Sequence, residues 1–76
     1  MVGDYYATVK NKEGKQRPWF RLKMAVKLKG AKQSASSIYG EGYLSDEIII
    51  GIGVSDGTIK PISSRTVRDS RWKDQL

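Results

Sequence analysis

Apolar and charged side chains alternate along residues 20–29, and this alternation is the clearest periodic signal in the chain. The residues are, in order, Phe20, Arg21, Leu22, Lys23, Met24, Ala25, Val26, Lys27, Leu28 and Lys29. A period of two is typical of a half-buried β-strand, because successive side chains point to opposite faces of a sheet. A helix would scatter the same apolar residues around its circumference. The pattern therefore predicts one strand over 20–29, with its five apolar side chains facing the core.

A second predicted strand, Tyr5 to Lys10, lies just upstream and is rich in aromatic and β-branched residues. Residues 11–14 are typical of a turn, and Gly14 can adopt a positive φ. Pro18 has no N–H to donate, so we expect it at the start of the following strand. Together these features predict a β-hairpin.

Three further strands are predicted in the second half of the chain. Residues 30–37 are small, polar and aperiodic, which predicts a loop. Residues 38–44 alternate but contain two glycines, which predicts a strand with a bend or a bulge. Residues 47–54 predict a strong strand, and residues 58–62 predict an edge strand that ends early because of Pro61. The face of the strong strand that we expect in the core consists of Ile48, Ile50, Ile52 and Val54.

The C-terminal residues allow two interpretations. A serine just before Arg65 is a suitable N-cap for a short helix that ends near Trp72, but a flexible basic tail fits equally well. We therefore predict a single small β domain over residues 1–64 and a basic tail or short helix over residues 65–76. Four or five short strands predict a mainly β fold, either a small antiparallel barrel or a strongly bent sheet. SH3-like and OB-like topologies are both compatible with this pattern.

The composition excludes most enzymatic chemistry. The chain has no histidine and no cysteine, which removes catalytic triads, thiolate nucleophiles, disulfides and the usual zinc ligands. Asp46 and Glu47 are adjacent, but neighbours on a strand point to opposite faces, so they form no carboxylate pair. We expect a non-enzymatic protein without a cofactor or a metal. The residues after Met1 contain no apolar run, so we expect a cytoplasmic protein without membrane contact.

Positive charge is concentrated in one part of the chain. The formal net charge is +6, and residues 10–32 hold nine bases and one acid, Glu13. Residues 41–56, in contrast, hold acids and no base. Alternate residues of a strand lie roughly 6.6 to 7 Å apart. This interval is comparable to the spacing of phosphates, so a basic strand can follow a nucleic-acid backbone.

The preferred hypothesis is a nucleic-acid-binding module, for DNA or RNA, that contacts phosphates through a basic sheet face with limited sequence specificity. Trp19 has the same strand parity as Arg21, so we expect its ring to stack on a base or to support the basic face. We expect the loop at 30–37 and the arginine-rich C-terminal residues to close over the ligand. The candidate binding residues are Arg17, Trp19, Arg21, Lys23, Lys27, Lys29, Lys32, Arg65, Arg68 and Arg71. Further aromatic candidates are Tyr5, Tyr6, Tyr39 and Tyr43.

Other interpretations of the same charges remain open. A row of lysines is also an ordinary solvent-exposed face that protects a sheet from edge pairing. The main functional alternative is a small protein–protein interaction or inhibitor module that grips an acidic surface of its partner. Apolar strand faces in so small a domain could also form a homo-oligomer. A histidine-free ribonuclease is a third class, and no residue spacing supports it.

Overall fold

One antiparallel sheet organises the part of the chain that the computed structural model describes, residues 3–69 and 71–74. Its elements are β1 (Tyr5–Lys10), β2 (Phe20–Arg21), α1 (Leu28–Tyr39), β3 (Glu47–Gly53), β4 (Ile59–Thr66) and β5 (Lys73–Asp74). The strand order is β2-β1-β3-β4-β5, and every neighbouring pair is antiparallel. The mainly β prediction is therefore confirmed. A closed barrel, SH3-like or OB-like, is not confirmed, because β2 and β5 form two separate ends of this sheet.

The centre of the sheet is formed by β1 and β3, which pair along the whole length of β1. Ala7 lies opposite Ile50, and both side chains are fully buried, as is that of Ile48. The register between β3 and β4 shifts after Ile50, which leaves Ile62 as an extra residue of β4. Such a bulge re-aims side chains, and here Ile62 joins the same buried cluster.

The helix α1 covers one face of the sheet through small side chains. Leu28, Ala31, Ala35 and Tyr39 follow one another at intervals of three or four residues and so lie on one side of the helix. Ala31 and Ala35 are fully buried in the core, and the other two pack against it. The other face of the sheet carries no helix in the described residues, and we call it the open face.

The predicted strand over 20–29 is wrong beyond Arg21. The N–H of Leu22 still donates to the carbonyl of Tyr5 (2.8 Å), but Tyr5 is the first residue of β1, so the next residues have no strand to pair with. The chain turns instead and enters α1 at Leu28. Leu22 is buried as predicted, whereas the exposed fractions of Met24 and Val26 are 91% and 85%. Phe20, also predicted in the core, is about half exposed.

Two further predictions between the basic segment and β3 are wrong. Residues 30–37, predicted as a loop, lie within α1. Residues 38–44, predicted as a strand, contain the end of α1 and two turns. The N–H of Gly40 donates to the carbonyl of Ser36 (2.8 Å), and the N–H of Gly42 donates to that of Tyr39 (3.1 Å). The predicted strands at 47–54 and 58–62 correspond to β3 and to part of the longer β4.

The predicted C-terminal helix is also wrong over the residues that the structure describes, and Ser70 lies outside them. Arg65 and Thr66 extend β4, and Lys73–Asp74 form β5. The hydroxyl of Ser63 donates to the Asp74 carboxylate (2.6 Å), which also lies 3.0 Å from the ammonium of Lys32 on α1. The segment after β4 is thus joined to the sheet and to the helix.

Candidate nucleic-acid interface

The basic part of the chain follows one side of the molecule, beside the β2 end of the sheet. Residues 12–29 comprise the loop after β1, the strand β2, a second loop and the first turn of α1. All seven of their bases are exposed, and we call these seven residues the β2 margin: Lys12, Lys15, Arg17, Arg21, Lys23, Lys27 and Lys29.

The loop after β1 has an ordered backbone that fixes the first cations of the margin. The Asn11 side-chain carbonyl accepts hydrogen bonds from the N–H groups of Glu13 (3.0 Å) and Lys15 (2.9 Å). Gly14 has a φ of 88°, in the left-handed region that favours glycine. Farther along, the Arg17 N–H donates to the carbonyl of Val9 (3.0 Å). The side chains of Lys12, Lys15 and Arg17 therefore extend from a backbone that hydrogen bonds hold beside β1.

Trp19 and Arg21 share the open face, as their strand parity predicted. Arg21 pairs with Tyr6, which in turn lies opposite Gly51. Gly51 follows the core residue Ile50, so it belongs to the face without the helix. The half-buried Trp19 ring reaches this glycine, which gives the ring a supporting role. Trp19 also borders a depression of about 270 Å³ on this face. Base stacking by Trp19 stays a prediction.

The second loop and the start of α1 hold three further cations. Lys23, Lys27 and Lys29 are exposed, and none of them forms an ion pair with another residue in the described ranges. Lys27 is the N-cap of α1 without a side-chain hydrogen bond, and the first turn of the helix contains no acid. The partial positive charge of the helix N-terminus adds to that of these ammonium groups. Arg21, at the other side of this loop, is paired with Asp4 at 3.2 Å.

Two of the predicted binding residues, Lys32 and Arg65, have contacts within the protein. The Lys32 side chain is mostly buried, and its ammonium is paired with Asp74. The half-buried side chain of Arg65 lies between α1 and the end of β4. The Arg65 guanidinium donates to the hydroxyl of Ser36 (3.0 Å) and to three backbone carbonyls between residues 66 and 69. It also lies 5.4 Å from the centroid of the Trp72 ring, within the range of a cation–π contact. These bonds engage both terminal nitrogens of the guanidinium.

Arg68 and Arg71 are exposed and lie in different places. The Arg68 N–H donates to the carbonyl of Leu44 (3.1 Å), the residue after Tyr43, whereas Arg71 lies at the β5 end of the sheet. Arg68 follows β4 and Arg71 precedes β5, and the strand order separates β5 from β2 by three strands. At about 4.8 Å per strand the two ends are roughly 19 Å apart. Arg71 is therefore separated from β2 by the width of the sheet, whereas Arg68 lies beside the loop that joins α1 to β3.

Two adjoining depressions lie between the loop after β1 and the loop that joins α1 to β3. Their volumes are about 320 and 300 Å³, and both are lined by Asn11, Tyr43 and Asp46. Three cations of the β2 margin line them as well: Lys12, Lys15 and Arg17. Lys12 and Lys15 were not among the predicted binding residues, although their exposure and their positions in a turn are visible in the sequence.

Hydrogen bonds lower the pKa of two carboxylates, those of Asp56 and Asp74. Hydrogen bonds from the Thr58 hydroxyl and N–H hold the pKa of Asp56 below its ordinary value. The pKa of Asp74 is lowered by the Ser63 hydroxyl and, next, by Lys32. Within the described ranges, no three carboxylates are grouped so that they could hold a metal ion. In the same ranges, no helix has the length and apolar character needed to cross a bilayer.

No protein-family model, curated protein or solved structure matches this chain.

Proposed function

We propose that this protein binds nucleic acid through the β2 margin, by phosphate contacts with limited sequence preference and without chemical turnover. The observation that carries the proposal is that residues 12–29, which form the β2 end of the sheet, its adjoining loops and the start of α1, hold seven exposed cations and a single acid, Glu13. Such a row of charges neutralises phosphates and releases their counterions, which is the main source of sequence-independent affinity.

The dimensions of the margin suit a polyanion. From Gln16, which bridges to Lys10, to Arg21, which pairs with Tyr6, the chain runs beside β1. At about 3.3 Å per residue this part is roughly 17 Å long, and a loop with further cations lies at each end of it. It can therefore follow several consecutive phosphates of one strand, or part of one side of a duplex.

A second candidate function, binding to an acidic protein surface, is favoured by a different observation. The side chains of Met24 and Val26 are almost fully exposed and lie between the lysines of the second loop. Phosphate contacts do not use them, whereas an apolar pocket with an acidic rim would. Under this alternative, replacing Met24 and Val26 by serine should weaken partner binding and leave oligonucleotide affinity unchanged.

The test of nucleic-acid binding is a fluorescence-anisotropy titration with labelled oligonucleotides at several salt concentrations. The margin variant combines Lys23→Glu with Lys27→Glu, and its matched control combines Lys60→Glu with Lys73→Glu. All four residues are exposed, and both variants lower the net charge equally. The margin variant should lose affinity for every sequence and reduce the salt slope by about two units, since each phosphate contact contributes about one.

The control should retain most of the affinity. Equal losses in the two variants would show that overall charge, and not the β2 margin, attracts the oligonucleotide. A wild-type dissociation constant weaker than about 10⁻⁴ M at physiological salt would be weaker than ordinary non-specific association. That result would end the nucleic-acid proposal and assign the basic residues to an acidic protein partner.

A further inference from the structure

We infer that the two adjoining depressions beside the loop after β1 hold one unstacked nucleobase, with Tyr43 as its stacking partner, and that the protein therefore prefers single-stranded nucleic acid. This inference rests on the proposed function and adds the strand type to it. We call the two depressions together the Tyr43 groove, which is bounded by residues 11–17 on one side and by residues 43–46 on the other.

Tyr43 has the exposure and the fixed backbone of a stacking platform. Its side chain is 81% exposed, although a large aromatic ring gains most from burial. Its N–H donates to the Asp46 carboxylate (3.3 Å), and its carbonyl accepts from the Asp46 N–H (3.0 Å). Because these bonds fix the turn before any ligand arrives, little backbone freedom is lost when a base stacks on the ring.

The cations that line the groove belong to the β2 margin. Lys12, Lys15 and Arg17 are exposed and approach the groove from the side opposite Tyr43. Two acids, Glu13 and Asp46, also line the groove. The Asp46 carboxylate already accepts a hydrogen bond from the backbone of Tyr43. A chain whose phosphates follow the margin would therefore bring its bases next to the phenol ring.

The size of the groove and the chemistry of its walls favour a single base. Each depression has a volume of about 300 Å³, at the lower end of the range for small-molecule sites. Gln16 supplies an amide that can donate to or accept from a base edge. A duplex keeps its bases stacked and paired, so it cannot place one on Tyr43 without opening, whereas a single strand offers its bases freely.

The experiment compares single- and double-stranded oligonucleotides of one sequence on the wild type and three variants. Tyr43→Ala removes the ring, Tyr43→Phe keeps it, and Leu44→Ala changes an exposed neighbour that does not line the groove. We expect Tyr43→Ala to weaken single-strand binding roughly 5- to 150-fold, which corresponds to about 1 to 3 kcal/mol of base stacking. Tyr43→Phe and Leu44→Ala should bind like the wild type, and duplex affinity should not change in any variant.

Three results would overturn the inference. Tyr43→Ala could bind both strand forms as the wild type does, which would leave the margin proposal intact and remove the stacking site. Tyr43→Phe could lose as much affinity as Tyr43→Ala, which would assign the effect to the hydroxyl. A free nucleoside monophosphate could displace the oligonucleotide fully, which would make the groove a mononucleotide site. If the wild type binds neither strand form, the proposed function fails together with this inference.

Discussion

The ring of Trp19 lies directly against Gly51, at the centre of the open face. A Cβ atom on Gly51 would be 3.0 Å from Cη2 and 3.1 Å from Cζ3 of the ring, and 2.5 Å from Cγ2 of Ile59. Only a residue without a side chain leaves room for this contact. This contact between Trp19 and Gly51 joins the segment that carries the β2 margin to the middle strand of the sheet. The position of the cations therefore depends on it.

Gly51→Ala is therefore expected to destabilise the protein, by about 1 to 3 kcal/mol, because the new methyl group overpacks the site. Gly30→Ala is the matched control, since Gly30 lies within α1 and a Cβ there meets nothing within 4 Å. That substitution should stabilise the protein by about 0.5 to 1 kcal/mol. Thermal melts should show a lower melting temperature for Gly51→Ala and a higher one for Gly30→Ala than for the wild type. A Gly51→Ala variant that melts at or above the wild-type temperature would contradict the contact between Trp19 and Gly51.

A second prediction separates the observed core from the one expected from alternation. Ile50→Ala should lower the free energy of unfolding by about 2 to 5 kcal/mol, because Ile50 is fully buried. Met24→Ala should change it by less than about 0.5 kcal/mol, since Met24 is 91% exposed. Denaturant unfolding measures both values. A large loss in Met24→Ala would favour a strand that continues through residues 20–29.

A third prediction concerns the dependence of stability on pH. Asp74 has a pKa below its ordinary value of 3.8, first because the Ser63 hydroxyl donates to it and then because Lys32 lies beside it. The unfolded chain thus binds this proton more tightly than the folded one. The stabilisation is present above pH 3.8 and is lost as the pH falls through the lower, folded pKa.

Thermal melts of the wild type and Asp74→Asn at several pH values test whether the Asp74 carboxylate stabilises the fold above its pKa. The variant should melt at a lower temperature at neutral pH, and the difference should shrink in acid below the ordinary pKa. Lys32→Gln, which removes the second cause, should reproduce part of the neutral-pH loss. A difference that grows in acid would show that the ion pair with Asp74 does not contribute as described.

The strands that are paired over their full length could be predicted from the sequence, and the helix could not. The bounds predicted for β1 match those observed, and the apolar run of β3 was identified to within one residue, because both strands are paired over their full length. Alternation in residues 20–29 failed because its continuation needs a partner, and the hydrogen bonds to β1 end at Tyr5. The place where β1 ends relative to residues 20–29 depends on the pairing of distant segments, which no local sequence pattern reveals.

A signal for α1 was nevertheless present in the sequence. Leu28, Ala31, Ala35 and Tyr39 have helical spacing, but the two alanines that form the buried contact are small and gave a weak apolar pattern. The concentration of bases was predictable from the sequence alone. The positions of Arg68, beside Leu44, and of Arg71, at the β5 end of the sheet, were not, because they follow from long-range hydrogen bonds and from the strand order.

The central claim is that the β2 margin is the surface that contacts nucleic acid, and its most direct test is an NMR titration of isotope-labelled protein with a short single-stranded oligonucleotide. The account predicts that amide shifts concentrate in residues 12–29 and at Tyr43, and that they weaken as salt is added. Shifts centred on Arg71 and Lys73 at the β5 end of the sheet, or no shifts at all, would contradict it.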